Sequence, residues 1–283
     1  FGGNEEIVAE QGWNTDGMRI VGSPNAAGDG YRIAMDNGAC SFMADSAQSI
    51  LYAIEAFPPI DFHDVAENPL YGYFGIASGG PVLWVNEACR RYTREDLAND
   101  NLALQCLPGK GNKGNYVVFD QAIFDRFFGK NDDAKKAFYD AIKANGGGSI
   151  YQSDSLADLA GRFNLDADAL KAAVDRYNEL CGEGADSDFG KAAGLMVPIE
   201  TPPFYLAKLS YNYFFSVGGI TTDGRHRVLD GRRNPIEGLY AIGNDGNMLY
   251  RNVYTVNMPG VAFGHQVNSG REAANAVLEY LDR

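Results

Sequence analysis

Residues 238–246 read Gly-Leu-Tyr-Ala-Ile-Gly-Asn-Asp-Gly, and this stretch decides how the rest of the chain is interpreted. Its apolar run, 239–242, predicts a short buried strand, because apolar residues bounded by turn signals are typical of one. Gly243 ends that strand, and Asn244 and Asp245 follow it. A glycine at a strand end lets another group approach the backbone, and the polar side chains after it can bind hydroxyl groups. The stretch therefore predicts a strand tip that meets a ribityl chain or a diphosphate.

A helix start follows the strand tip closely. Thirteen residues after Asp245, the run Met-Pro-Gly-Val-Ala at 258–262 opens a predicted helix over 260–281. Proline suits the first turn of a helix, and the unpaired amides there form the positive end of the helix dipole. If the group beyond the strand tip is a flavin, these amides would stabilise the anionic reduced ring at its N1/C2=O edge.

A second glycine-rich stretch is misleading. Residues 107–120 read LPGKGNKGNYVVFD and match G-x-G-x-x-G at Gly109, Gly111 and Gly114. In a dinucleotide-binding turn a strand leads into the glycines and a helix leaves them. Here the strand-like run, 116–119, comes after the glycines, so we interpret them as a turn before a strand. A dinucleotide site elsewhere in the chain stays open.

The composition excludes several classes of protein. The 283 residues carry a net charge of −13, so no basic patch is available to neutralise nucleic-acid phosphates. No apolar run approaches the roughly 20 residues of a membrane helix. Four separate cysteines and three histidines without i, i+4 spacing disfavour a metal site, a haem and a Ser-His-Asp triad. The chain opens without Met, so we expect that its native start lies upstream.

The pattern of apolar residues divides the chain into an α/β start, a mostly helical middle, and an end of short strands and one long helix. Residues 46–75 are rich in aromatics and proline and show no clear period. Helices are predicted over 4–11, 28–37, 120–128, 132–144, 155–163, 166–181 and 260–281, and strands over 82–85, 116–119, 215–222, 227–229 and 239–242.

Several longer motifs resemble one family. The segments PPFYLAKL, VGGITTDGRHRVLDGRRNPIEGLYAIGND, NMPGVAFG and SGREAANAVLEYL resemble the C-terminal part of the FAD-dependent fumarate reductase, urocanate reductase and 3-ketosteroid dehydrogenase family. The motifs VNEACRRYTRE, LDADALKAAVDRYNELCGEGADSDFGK, FGGNEE and AAGDGYRIAMDNGA extend the resemblance over nearly the whole chain.

The resemblance implies an α/β (α+β) fold, namely the C-terminal part of a doubly wound FAD-binding flavin domain with an inserted, mostly helical α+β capping domain. Residues 1–45 and 205–283 would belong to the flavin domain, and residues 46–204 to the cap that closes on substrate. In this family the G-x-G-x-x-G fingerprint lies upstream of the loop with which this chain begins. We therefore expect the N-terminal FAD-binding portion of the same protein as a partner.

The resemblance also implies which residues bind FAD. Gly28 and Asp29 match the family's T-G-D-G stretch. At the strand tip formed by Gly243, Asn244 and Asp245, Asn244 stands where fumarate reductases have a glutamate and ketosteroid dehydrogenases an asparagine. At the helix start, Gly260, Val261 and Ala262 would place amides at the flavin pyrimidine edge.

The substrate-binding residues of the family do not carry over. Phe214 and Phe215 stand where fumarate reductases have two histidines. Asn99 and Asn257 stand where they have arginines, and Met258 replaces a tyrosine of the ketosteroid dehydrogenases. These losses of charge disfavour fumarate itself as the substrate.

The loop NMLYRNVYTVN, 247–257, contains groups that could replace the lost ones. Tyr250, Arg251 and Tyr254 are the candidate catalytic residues, because an arginine can hold an anion and a tyrosine can donate a proton. The alternative is a surface loop with amphipathic aromatics. The aromatic runs at 71–74 and 211–215 would suit a flat, hydrophobic substrate or would serve as core.

The sequence thus predicts an FAD-dependent oxidoreductase that reduces, or forms, an activated C=C bond by hydride transfer at flavin N5, with a protein acid protonating the α-carbon. Its partners would be a small unsaturated substrate and an unknown electron donor, with no nucleic acid and no membrane span. The compartment stays open between the cytoplasm and a bacterial cell envelope.

The alternative is a non-catalytic capping fragment that holds FAD only when an N-terminal half docks. Direct use of a nicotinamide cofactor would need a second phosphate-binding turn, and none is visible.

Overall fold

The computed structural model describes residues 1–23, 25–43, 46–57, 76–77, 79–99, 104–254 and 258–282. Within them the chain has a mixed α/β fold and divides into two units. The first unit comprises residues 1–15, 20–50 and 213–283, and the second comprises residues 16–19 and 51–212. Throughout the described part of the chain, every helix is too short or too polar to cross a membrane.

The helices of the structure follow the predicted ones closely. They are α1 (Glu5–Glu10), α2 (Asp29–Asp36), α3 (Gln121–Phe128), α4 (Asp132–Asn145), α5 (Leu156–Arg162), α6 (Ala167–Glu183) and α7 (Val261–Leu281), with 3₁₀ turns at Glu95–Asn99, Leu104–Gly109 and Ala193–Leu195. Local capping explains this agreement. Asp166 caps α6 by accepting a hydrogen bond from the Ala169 amide at 2.9 Å, and Asp120 caps α3 in the same way.

The strands are β1 (Arg19–Ile20), β2 (Ala47–Ile54), β3 (Leu83–Asn86), β4 (Asn115–Asp120), β5 (Ile150–Ser153), β6 (Phe204–Val217), β7 (Arg227–Leu229) and β8 (Pro235–Tyr240). Strand β2 was missed by sequence reasoning because all eight of its residues are buried, which removes the alternation that marks a strand. The glycines at 109–114 precede β4, as predicted.

Two strand predictions need correction. The strand predicted over 215–222 is β6, which begins at Phe204 and ends at Val217, because Gly218 and Gly219 turn the chain with φ of 98° and 125°. The strand predicted as buried over 239–242 is β8, which ends at Tyr240. Most of β8 is exposed or half-buried, and Ile242 beyond it is 46% exposed. In the described residues β8 pairs with β7 alone, so it is an edge strand.

The second unit is built on an antiparallel sheet in the order β3–β4–β6–β5. Leu83 pairs with Val118, Val118 with Leu206, and Leu206 with Tyr151. Helices α3 and α4 add an aromatic core in which the rings of Phe119 and Tyr205 stack at 4.9 Å. The burial of these rings gives this unit its own hydrophobic centre.

A buried network of charges lies in the same unit. The guanidinium of Arg91 donates hydrogen bonds of 2.7–3.0 Å to the carboxylates of Glu95 and Asp186. The ammonium of Lys191 lies 3.3 Å from Glu95 and donates to the hydroxyl of Tyr177 at 2.8 Å. Two cations thus meet two carboxylates, so the buried charges compensate one another.

The first unit contains α1, α2, the β7–β8 pair and α7. Small buried clusters hold it together, and the cluster between α2 and the β7–β8 pair consists of Ala34, Ile220, Val228 and Ala241. Helix α7 packs on this part of the unit through small residues, since Ser269, Ala273 and Ala276 are buried.

Candidate functional site

The strand tip after β8 is held in place from two sides within the first unit. The amide of Gly218 donates to the carbonyl of Asn244 at 2.6 Å, and the amide of Ile220 donates to the carbonyl of Asp245 at 3.2 Å. From the other side, the hydroxyl of Ser269 on α7 accepts a hydrogen bond from the Gly243 amide at 3.0 Å. The backbone after Gly243, whose φ is 62°, is therefore fixed where the sequence predicts a binding turn.

A cavity of about 260 Å³ brings the strand tip together with the Gly28–Gly30 turn. Gly28, Asp29, Asn244 and Asp245, four of the predicted cofactor-binding residues, line it together with Ser216 and Phe215. Gly30 permits this approach, because a Cβ there would lie 2.7 Å from Asp245 Oδ2. The turn and the strand tip thus form one continuous wall.

Two helices begin at or near this cavity without a side-chain cap. Gly28 precedes α2 with φ of 90°, and Gly260 precedes α7 with φ of 84°. The regular bonding of α7 begins with the amide of Gly264, which donates to Gly260, so the amides of the preceding turn have no partner inside the helix. A 21-residue helix with such a start favours an anion or a partial negative charge at that end.

The predicted residues at the start of α7 do not line the cavity. Gly260, Val261 and Ala262 lie at the start of the helix, and the helix reaches the strand tip about one turn later. There the side-chain amide of Gln266 donates to Asn244 Oδ1 at 2.9 Å. Gln266 and Ser269 were missed by sequence reasoning. The signal that could have identified them is two polar residues, i and i+3, on the face of a helix that follows a binding turn.

Two of the three candidate catalytic residues, Tyr250 and Tyr254, lie together in the structure. Tyr250 is 5% exposed, and its ring centroid lies 5.1 Å from that of Tyr254. Tyr254 in turn meets Phe215 edge-on at 5.2 Å. Arg251 is exposed, on the solvent side of the loop. The surface-loop alternative therefore fails for Tyr250, whose side chain is part of the core.

These aromatic rings form a cluster next to the start of α7. Tyr250 packs with Ala47 and Val217, and Phe215, Tyr254 and Val261 pack against them. We call the residues Phe215, Tyr250 and Tyr254 the aromatic cluster. Because Val261 is the first residue of α7, the aromatic cluster adjoins the helix end that the sequence predicts at a flavin edge.

The hydroxyl of Tyr250 is buried and has no hydrogen-bond partner among the described residues. Burial, and to a smaller extent the neighbouring Tyr254, raise the pKa of Tyr250 above its ordinary value. The phenol is therefore protonated at neutral pH and its proton is not engaged by a described group. Such a group can donate a hydrogen bond, or a proton, to a bound molecule.

Some sequence predictions lie outside the described residues. These are the aromatic run at 71–74, Asn257, and the side chain of Asn99. Phe214 and Phe215 lie within β6.

The residues present fit part of an FAD molecule. Gly30 lies against the carboxylate of Asp245 with no side chain between them, so the wall that they form is polar. The start of α2, which has no side-chain cap, contributes backbone amides to the same wall. At about 260 Å³ the cavity is smaller than the roughly 300–1,000 Å³ of whole ligand pockets, so it fits one portion of a dinucleotide. Among the described residues no three His, Cys, Asp or Glu side chains are placed to hold a metal ion.

Comparison with known proteins decides the family. The profile of the FAD binding domain family matches residues 3–256. The chain belongs to this family. The match confirms FAD as the cofactor expected from the sequence, and the relatives below agree with the resemblance that the motifs indicate.

Among curated relatives, the vinyl phenol reductase of Lactiplantibacillus plantarum is 27% identical over 95% of this chain and 56% of its own length. The urocanate reductase of Eggerthella lenta is 34% identical over 73% of this chain and 33% of its own length. The chain thus spans at most about half the length of most relatives it matches.

A solved structure supports the fold. The 3-ketosteroid Δ1-dehydrogenase of Sterolibacterium denitrificans superposes on 97% of this chain with a TM-score of 0.62 and 21% identity, and the superposed part is 52% of that chain. The α+β fold expected from the resemblance is thereby confirmed.

Proposed function

We propose that this chain forms part of an FAD-dependent oxidoreductase that reduces, or forms, an activated C=C bond. The observation that carries the proposal is the single cavity lined by Gly28, Asp29, Asn244 and Asp245, beside the uncapped start of α2. Bound FAD would supply a site that accepts or gives a hydride at N5. The relatives whose names identify reductases support this class of reaction.

Residues of the first unit would hold the cofactor in three ways. Asn244 and Asp245 offer an amide and a carboxylate to hydroxyl groups, while the start of α2 offers amides to a phosphate. The start of α7 would place the amides of Val261 and Ala262 where negative charge develops on a bound ring. Gln266 and Ser269 would act as positioning residues, because they fix Asn244 and Gly243.

The aromatic cluster supports a substrate with a flat, apolar body. Phe215, Tyr250 and Tyr254 present ring faces and edges where fumarate reductases would need cationic groups for a dicarboxylate. A conjugated alkene attached to an aromatic ring, of the kind named for the vinyl phenol reductase, suits such a surface better than fumarate. The direction of the reaction and the electron donor are left open by this proposal.

Two residues compete for the role of proton donor. Tyr250 is buried and protonated, with its hydroxyl unpartnered among the described residues, whereas Arg251 is exposed. If Tyr250 donates the proton, Tyr250→Phe lowers kcat about 10²-fold or more while FAD binding is unchanged. If Arg251 holds or delivers it, Arg251→Ala has that effect instead, and an unchanged kcat excludes the arginine.

The proposal is tested first by a visible absorption spectrum of the purified protein. A flavin band that bleaches on addition of dithionite, together with reduction of a styrene-type or enone substrate by the reduced protein, is the expected result. Asp29→Ala should lower FAD retention, because Asp29 lines the cavity. Asp36→Ala, at the other end of the same helix, is the control and should retain FAD normally. Equal retention in both variants would contradict the assigned site.

A second candidate function is a capping and partner-binding fragment without catalysis of its own. It is favoured by one observation: in the described residues no strand–turn–helix carries G-x-G-x-x-G, since the one match precedes β4. Here the N-terminal FAD-binding portion would have to dock before FAD is held. A colourless chain that acquires FAD only with that portion present would establish this alternative.

A further inference from the structure

The second unit contains a cavity that the proposed function does not use. Its volume of about 590 Å³ lies within the range of roughly 300–1,000 Å³ for whole ligand pockets. Its sides are residues 88–91 and 188–189, and its floor is one face of α6 that carries Ala169, Ala172, Ala173 and Leu180. All of these residues belong to the second unit, so the cavity needs no contribution from the first. We call it the arginine cavity, after three arginines that line it.

Small side chains on α6 leave the arginine cavity open. The lining positions 169, 172, 173, 176 and 180 follow one another at spacings of one to four residues that keep them on one face of the helix. The first two turns carry only alanines on this face, and the buried side chains of Tyr177 and Leu180 follow toward the C-terminal end. A floor of methyl groups can accept a flat apolar body.

The turn that forms one side of the arginine cavity is fixed in place. The side chain of Asn86 accepts hydrogen bonds from the amides of Ala88 and Arg90, both at 3.0 Å. Cys89 lies within this turn with φ of 54°, a conformation that favours glycine. Its thiol donates to the carbonyl of Asp166, the cap of α6, at 3.6 Å. The turn is thereby attached to the start of the helix that forms the floor.

The three arginines of this cavity differ in how far their charge is neutralised. Arg91 is held by its two buried carboxylate partners, and Arg176 donates to the carboxylate of Asp188 at 2.8 and 3.1 Å. Arg90 is exposed, and its guanidinium pairs with no described side chain. The cavity therefore offers one uncompensated positive charge, on a chain whose net charge is −13.

An aromatic ring stands beside these charges. The guanidinium of Arg91 lies over the rings of Tyr177 and Phe189, at 5.3 and 5.0 Å from their centroids. Phe189 is 39% exposed, although it belongs to the unit that buries most of its described aromatic rings. A partly exposed ring next to a guanidinium can stack on a flat ligand.

We propose that the arginine cavity binds a small aromatic monocarboxylate, whose ring packs on the alanine floor beside Phe189 and whose carboxylate pairs with Arg90. A guanidinium can hold a carboxylate through two parallel hydrogen bonds. The single uncompensated charge favours a monoanion, and the carboxylate of Asp188 in the lining disfavours phosphates and dicarboxylates by repulsion. This inference does not depend on the proposed FAD-binding function, because all the lining residues belong to the second unit.

The test uses the purified 283-residue chain and 3-phenylpropanoate, an aromatic monocarboxylate with no C=C bond outside its ring. The control ligands are its neutral amide, 3-phenylpropanamide, and inorganic phosphate. Titrations are followed by NMR of ¹³C-labelled alanine and leucine methyl groups. We expect saturable binding of one equivalent, with nuclear Overhauser contacts from the phenyl ring to the methyl groups of Ala172, Ala173 and Leu180. The amide should bind about tenfold more weakly or worse, because it lacks the charge that pairs with Arg90.

A matched pair of variants locates the site. Arg90→Gln should weaken binding of 3-phenylpropanoate about tenfold or more, because it removes the uncompensated charge. Arg126→Gln changes an exposed arginine of α3 outside the cavity and should alter the binding by less than about twofold. Ala172→Trp fills the floor and should abolish binding, and circular dichroism checks that all three variants fold.

The outcomes separate this inference from the proposed function. The absence of saturable binding, equal affinity for the acid and its amide, or equal weakening by Arg90→Gln and Arg126→Gln would overturn the site, even if FAD binds and turnover is seen. Tighter binding of phosphate than of 3-phenylpropanoate would reject the aromatic monocarboxylate as the occupant. Binding that depends on Arg90 in a protein that holds no FAD would retain the site and reject the proposed function alone.

Discussion

The two units differ in how many of their large apolar side chains are exposed. Among the described residues, nine such side chains in the first unit are more than a third exposed, against Tyr139 and Phe189 in the second. The second unit buries its rings in a shared core around Phe138, which contacts Phe57, Phe119, Phe124 and Tyr205.

The units also differ in their charges. In the second unit Arg91, Glu95, Asp186 and Lys191 are almost fully buried and pair with one another. In the first unit the ion pairs, such as Arg32–Glu6 and Arg225–Glu279, lie at exposed side chains, and the polar groups of Asn244 and Asp245 face a cavity. The second unit thus pairs its buried charges internally, whereas the first presents polar groups to a cavity that a cofactor could fill.

The largest effect on stability should come from the aromatic core of the second unit. Phe138→Ala removes a ring that is fully buried among six aromatic neighbours, and we expect a loss of about 3–5 kcal/mol in the free energy of unfolding. Phe263→Ala in the first unit, where the ring is 71% exposed, should change it by less than about 0.5 kcal/mol. Urea unfolding of both variants measures the two losses in the free energy of unfolding. A large loss from Phe263→Ala would show that its face is already covered in this chain.

The buried charge network should have the next largest effect. Glu95→Gln leaves Arg91 and Lys191 facing one carboxylate fewer, and breaking a buried pair costs about 3 kcal/mol. Lys136→Ala removes an exposed i, i+4 pair with Asp140 and serves as the control, with no measurable change expected. The same unfolding experiment applies. Equal midpoints for the two variants would mean that the network contributes specificity and not stability.

Acid should affect the second unit in a low pH window. Burial by itself would raise the pKa of Asp186, but hydrogen bonds from Arg91 and from the amides of Lys191 and Phe189 outweigh it and lower the pKa to about 2. The carboxylate therefore stabilises the fold fully above about pH 4, its ordinary range, and this contribution is lost as the pH falls toward 2. The variant Asp186→Asn should be less stable at neutral pH. Its free energy of unfolding should also change less between pH 4 and pH 2 than that of the unchanged protein. An unchanged slope there would contradict the assigned partners.

The smallest effect should appear in the first unit near neutral pH. Burial, together with His226 at a ring distance of 5.6 Å, lowers the pKa of His265 below its ordinary value. Because the unfolded chain then binds a proton more readily than the folded one, stability falls as the pH drops through about 6.5. Hydrogen exchange of α7 amides at pH 7.5 and 5.5 measures this, with His265→Gln as the variant that should remove the difference. If His265→Gln shows the same difference in hydrogen exchange between the two pH values, other groups cause the pH dependence.

The agreement between sequence and structure is best where local chemistry decides. Asp120, Ser155 and Asp166 cap helices at the predicted positions, since a cap depends on a side chain and the amide three residues later. Strands are predicted less well. The buried β2 shows no alternation, and β6 extends well before its predicted start, because pairing with β4 and β5 rather than local pattern defines it.

The candidate site was predicted in part. The strand tip at Asn244 was predicted from its glycine and polar residues, and the turn at Gly28 from the family resemblance; both line one cavity. Gln266 and Ser269, which fix that tip, depend on how α7 crosses it, and so they were missed. The separation of Tyr250 from Arg251 likewise depends on packing, since neighbouring residues of one loop have no period that distinguishes a buried side chain from an exposed one.

The sequence by itself determined the helices, because caps and apolar periods are encoded within a few residues of one another, and its motifs indicated the family and the cofactor by resemblance. The tertiary structure alone decided that Gly30 and Asp245 meet, that Tyr250 is buried, and that Phe263 and Leu281 on α7 are exposed. These properties join residues far apart in the chain, and their energies come from burial and close approach, which no local pattern records.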